Sequence, residues 1–251
     1  MPAHLSTRAT RAQGCHPEPQ ELRDSSWRLT LGQETARFES PRYEGHWQGL
    51  SSSAGVARQR LYAGAALGVY RIVRNGSPRR GVGDLLLHSR VSLLGAERER
   101  VRAGLAISVT LPTGDVRSDL GMGHVMLMTG AWVTAQLKQV LANAQLTYGK
   151  SLRGNNTHHH DSVGPLVAPM SQSEIDATVS ASFRIHPNGM LVKGGLNGAL
   201  PVLDESGAAR ANLLLALLFG DRLKTSLELQ LPIAGVPSTL ALRVALSIAV
   251  R

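Results

Sequence analysis

A single cysteine, Cys15, stands in 251 residues. No intramolecular disulfide and no cysteine-rich metal site can therefore form. Aromatic residues make up only 4% of the chain, enough for a sparse interfacial belt and no more. No stretch approaches the roughly 18 uninterrupted apolar residues of a membrane helix, which excludes a helical membrane protein. The start, MPAHLSTRATRAQGCHPEPQELRDSS, has charge and proline but lacks the apolar run of a signal peptide. We read residues 1–25 as a flexible N-terminal leader and 26–251 as one domain. Gly-x-Ser-x-Gly, phosphate-loop and His-Glu-x-x-His motifs are also missing, and His88 and Ser89, as strand neighbours, point to opposite faces. Nothing suggests an enzyme, and no cofactor is expected. The net charge of +9 comes from arginines scattered over strand ends and turns; without a basic stripe or a recognition motif it does not imply a nucleic-acid partner.

What the chain has in abundance is a period of two, the mark of strands with one apolar face. In VRAGLAISVTL, Val101, Ala103, Leu105, Ile107, Val109 and Leu111 oppose Arg102, Gly104, Ser108 and Thr110. EIDATVSASFRI sets Ile175, Val179, Phe183 and Ile185 against Asp176, Thr178, Ser180, Ser182 and Arg184. In LKTSLELQLP, Leu227, Leu229 and Leu231 share a face with Thr225, while Lys224, Ser226, Glu228 and Gln230 share the other. About twelve such segments can be marked, near 27–38, 46–57, 60–72, 83–94, 101–111, 124–137, 140–151, 174–186, 189–201, 209–219, 223–232 and 239–251. Each is about as long as the roughly 9–11 residues that cross a bilayer on a tilt.

The connections alternate in length. ARQR, GAERER, QLKQV, HPNG and FGDRL are short, and HPNG carries the hairpin-forming pair Asn188-Gly189. ESPRYEG, RNGSPRRGVG, PTGDVRSDLGMG, RGNNTHHHDSVGPLVAPMSQ, PVLDESGAAR and PIAGVPS read as longer loops. Short turns at one end and longer loops at the other suit an up-and-down antiparallel transmembrane β-barrel, all-β, whose closure pairs every backbone group. A soluble β-rich binding protein would alternate in the same way with its apolar face turned inward. The small and polar opposite face favours the membrane barrel. Two segments are softer evidence, since ARANLLLALLFG also reads as a buried helix and GHVMLMTGAWV puts Met126, Met128 and Trp132 on the polar side. Trp27, Tyr70, Tyr148, Phe183 and Phe219 are expected at the membrane interface.

GVGDLLLHSRVSLL (81–94), AGLAISVTLPTGD (103–115) and GMGH (121–124) resemble, in order and character, outer-membrane barrels of the phenol meta-pathway transporter type. The resemblance spans roughly residues 60–150 by motif. It implies the cell outer membrane and passive passage of small, often aromatic, compounds. The partners that follow are outer-membrane lipid and lipopolysaccharide, the barrel-insertion machinery and a small-molecule solute.

In such a barrel Asp84, His88, Arg90, Lys193, Lys224, Glu228, Gln230 and Arg243 should line the lumen, either pairing across it or leaving a polar path. In the longest loop His158, His159, His160 and Asp161 offer imidazole and carboxylate ligands for Zn or Cu. Met122, His124, Met126, Met128 and Met170 would add soft donors if the loops converged. A metal-handling barrel is accordingly the alternative reading of function.

Overall fold

The computed structural model describes residues 26–39, 44–95, 100–118, 120–154, 173–186, 190–202, 209–219, 223–235 and 238–250. The strands are β1 (Ser26–Glu39), β2 (Glu44–Arg58), β3 (Leu61–Arg74), β4 (Ser77–Val82), β5 (Leu85–Leu94), β6 (Val101–Leu111), β7 (His124–Leu137), β8 (Val140–Gly154), β9 (Ser173–His186), β10 (Met190–Pro201), β11 (Arg210–Phe219), β12 (Leu223–Ala234) and β13 (Ser238–Val250). Each pairs antiparallel with its neighbours, and β1 pairs with both β2 and β13. The sheet therefore closes on itself. β3 pairs through its second half with β4 and through its first half with β5, so these two share one place in the wall. The barrel has twelve staves.

Two sequence expectations are corrected here. RNGSPRRGVG is not a long loop, because Asn75 (φ 47°) and Gly76 (φ 79°) form a two-residue hairpin turn from which β4 runs back along β3. Positive φ at both centres is what an Asn-Gly pair tolerates. The turn is tied to β2, with the Glu44 N–H donating to Asn75 Oδ1 at 3.1 Å and the Asn75 N–H to the Glu44 carbonyl at 3.0 Å. The stave expected over 83–94 instead starts at Ser77 and breaks at Gly83 and Asp84.

Burial along each strand answers the question of orientation. In β12, Leu223 and Leu227 are 53% and 40% exposed while Lys224, Glu228 and Gln230 are 4% or less. β1 alternates likewise over its whole length, with Trp27, Leu29 and Leu31 outward and Arg28, Thr30 and Glu34 inward. The apolar face looks out. A soluble barrel is excluded on physical grounds, since a soluble monomer rarely exposes more than a few hundred Å² of contiguous apolar surface, whereas here every stave contributes to one continuous band. Trp27, Phe183 and Phe219 lie on this outer face near the short-turn end, and Tyr148 lies on it nearer the other. Tyr70 does not join them, being buried inside.

Candidate functional site

The break in the wall between β4 and β5 has a use. Asp84 turns inward there, and its carboxylate accepts the Gly114 N–H at 2.9 Å through Oδ1 and the Met122 N–H at 2.8 Å through Oδ2. Beside it the Thr113 hydroxyl donates to the Gly83 carbonyl and accepts the Leu85 N–H, both at 2.9 Å. The connection between β6 and β7 is thus latched at both of its ends to one strand break. Close approach demands glycine, since a Cβ on Gly121 would lie 2.5 Å from Asp84 Oδ1 and one on Gly114 only 2.3 Å from the Leu120 carbonyl. The motif residues Gly83-Asp84, Thr113-Gly114 and Gly121-Met122 are therefore one structural device.

Between the anchors the chain makes a single 3-10 turn, Val116–Ser118. Asp115 caps it, accepting the Arg117 N–H at 3.0 Å and the Ser118 hydroxyl at 2.6 Å. The Ser118 hydroxyl, then the Arg117 N–H and the Arg117 and Arg79 charges, hold this exposed carboxyl below the usual carboxylate range.

The latch carries Leu120 into the barrel, where it packs with Phe38, Trp47, Tyr70 and Ile72. Trp47 and Tyr70 meet edge to face, 5.9 Å between centroids. The Tyr70 ring lies over Gly49 and Gly68, where a Cβ would stand 2.1 and 2.4 Å from ring atoms. Met122 and Met126 touch, and Met128 and Trp132 continue the buried row along β7. The expected polar face of β7 is thus apolar in part, and the loop end of the lumen is an aromatic and thioether collar.

Below the collar the lumen turns polar. Glu34 accepts the Ser51 hydroxyl at 2.9 Å and pairs with Arg243 at 3.4 Å; Glu228 stands opposite Arg243 in the next strand. At the loop end, where β9 and β11 begin, Glu174 pairs with Arg210 at 2.8 Å. Tyr62 stacks on His88 at 5.3 Å, with Oη and Nε2 3.3 Å apart. Arg90 reaches over β6 and β7 to bond Gln145 on β8, passing the small Ala106 and Gly130 that share its row.

Of the expected lumenal residues, Asp84, His88, Arg90, Lys193, Lys224, Glu228 and Gln230 are buried and Arg243 is half-buried. Asp84 anchors a loop, and Arg243 joins an ion pair. Glu34, Ser51, Trp47 and Leu120 were not singled out from sequence. Glu34 had a signal, since it shares the inward parity of Arg28 and Thr30, but Leu120 sits in a loop where periodicity says nothing. His158, His159, His160, Asp161 and Met170 lie outside the described residues. Among the described residues no three His, Cys, Asp or Glu side chains gather as a metal site.

A closed twelve-stave sheet, apolar outside and polar within, defines a transmembrane β-barrel of the outer-membrane type. No protein-family model matches the chain, and no curated protein matches it in sequence. Among solved structures it is similar to the COG4313 outer membrane channel of Pseudomonas putida F1, with a TM-score of 0.67 and 12% identity over 100% of this chain and 99% of that one. It is also similar to the translocator domain of the autotransporter NalP from Neisseria meningitidis, with a TM-score of 0.55 and 13% identity over 90% and 88% of the two chains. At such identities the likeness is one of fold.

Proposed function

We propose that the chain is a passive, non-enzymatic outer-membrane channel for small solutes with an aromatic or apolar part, in keeping with the resemblance of its motifs to the phenol meta-pathway type. The observation that carries this reading is the collar of Phe38, Trp47, Tyr70, Ile72 and Leu120 inside the lumen of a membrane barrel. Its members pack against one another and are each 2% exposed or less, so a solute that passes must move the cluster aside, and an apolar one gains contacts there that a sugar does not. The short-turn end, where β1 begins and β13 ends, faces the periplasm in this class. Arg37, Arg71 and Lys150 then project outward beside the upper rim of the apolar band, at the height of lipopolysaccharide phosphates.

Proteoliposome swelling tests the proposal with two zwitterions of similar size, phenylalanine and glutamine. Phenylalanine is expected to enter faster, and Trp47→Ala to reduce that advantage. Equal rates would overturn the apolar selectivity, and no swelling with either would overturn the channel.

A further inference from the structure

Cations on the outside of the barrel gather on one side of it. Among the side chains described in the loop-end halves of the strands, the outward-facing arginines and lysines are Arg37, Arg71, Arg80 and Lys150. The three arginines stand on β1, β3 and β4, which with β2 are consecutive in the wall. Lys150, on β8, stands apart. Register fixes the arrangement: Arg71 is directly opposite Arg80, with Gln48 and then Thr35 continuing the row, and Arg37 is opposite His46 in the next outward row towards the loops. Partners of this kind share a face, with Cβ atoms about 4.5–5.5 Å apart.

Like charges directly opposite one another are unfavourable, and Arg71 Nε is shielded from water without a hydrogen-bond acceptor. The outward acids of these strands, Glu39 and Glu44, face each other four residues along from the Arg71 row, about 14 Å away. Asp115, on the connection after β6, acts on Arg117 and Arg79 instead. On the membrane side the next outward row is apolar. Leu50, Val69 and Val82 lie side by side there, 66%, 56% and 41% exposed. The corner thus sets guanidinium groups above an apolar wall, with the hydroxyl of Thr35 and the amide of Gln48 beside them.

We infer that this corner of the outer face seats one phosphorylated glycolipid of the outer leaflet, a lipopolysaccharide whose phosphate bridges Arg71 and Arg80. The bridge turns a repulsive pair into an attractive one, because a guanidinium presents paired N–H donors that match phosphate oxygens. Arg37, Gln48 and Thr35 border the sugar headgroup. The acyl chains lie on Leu50, Val69 and Val82, a row of contacts that a free phosphate has no means to use. The inference rests on the orientation given with the channel reading, loops outward, and does not depend on what the lumen carries. It also separates two kinds of rim cation, since Lys150 has no second cation opposite it and sits between Leu127 and Ser173.

Native mass spectrometry of the full chain in detergent, titrated with diphosphoryl lipid A, tests the seat. One lipid A is expected to remain bound per barrel, with affinity falling about ten-fold or more in Arg71→Gln/Arg80→Gln and staying at the parent value in Lys150→Gln. Equal affinity in the parent and the double variant, or an equal loss in Lys150→Gln, overturns the inference. If the double variant fails to fold, the parent alone decides: lipid A stripped of both phosphates should bind about ten-fold or more weakly, and equal binding overturns the phosphate bridge. Inorganic phosphate at the same concentration should not displace the lipid. Displacement would assign the site to a free anion and overturn the glycolipid. Proteoliposome swelling in parallel keeps the two claims apart. Lipid A held at these arginines without swelling removes the channel and leaves the seat, whereas swelling with no arginine-dependent binding does the reverse.

Discussion

Asp84 shows how much one side chain organises here. Its two oxygens take the N–H groups of Gly114 and Met122, and through them it places Leu120 in the collar. Asn in its place keeps the shape but presents an amide NH2 to one of those donors. A hydrogen bond to a charged group contributes about 1.5–3 kcal/mol, so Asp84→Asn is expected to cost about 2 kcal/mol, to release the connection between β6 and β7, and to leave the barrel inserted. Trypsin acting on proteoliposomes would read this at exposed Arg117, with faster cleavage in the variant. Unchanged cleavage would mean that the collar holds the loop without the carboxylate.

At the scale of the strand, alternation carries the most information. Because successive side chains point to opposite faces, β12 makes a prediction that residue types alone do not. In a Cys15→Ser background, cysteine at 228 or 230 should react with a small water-soluble thiol reagent that enters the lumen, and cysteine at 227 or 229 should not. A lipid-embedded quencher should reach only 227 and 229. Protection of 227 and 229 from both reagents would place the leucines against protein and remove the membrane assignment. The same alternation explains what the sequence made legible. Period-two runs placed most of the staves, since lipid outside and a polar lumen inside impose opposite chemistry on adjacent residues, whereas the leucine run of β11 reads equally as a buried helix. It failed where a second demand overrode the period. Pro78, Arg79 and Arg80 disguise β4 as a loop, although Asn75-Gly76 marks its turn. Tyr70 reads as a belt residue by type and lies inside because Gly49 and Gly68 clear a bed for its ring. Leu120 and the latch around it depend on a contact between distant segments, to which no local pattern corresponds.

At the scale of the whole molecule the surface is inverted, and this sets how the protein responds to mutation. For a soluble domain, replacing an exposed side chain such as Ile107, which is 47% exposed, changes stability by no more than about 0.5 kcal/mol in most cases. A lipid-facing position behaves differently, because an arginine near the bilayer midplane costs about 2–4 kcal/mol and one near the interface about 0–1. Ile107 lies in the middle of β6, while Leu223 begins β12 at the short-turn rim, and both face outward. Ile107→Arg should therefore destabilise the barrel by about 3 kcal/mol, and Leu223→Arg by less than about 1. Denaturant titration in lipid vesicles, read by the loss of the folded electrophoretic band, measures both. The difference between the two positions is the decisive quantity. If depth leaves no trace and both variants behave as ordinary surface changes, the apolar band does not lie in a bilayer. A graded cost from mid-strand to rim places lipid around the barrel without any assumption about what passes through it.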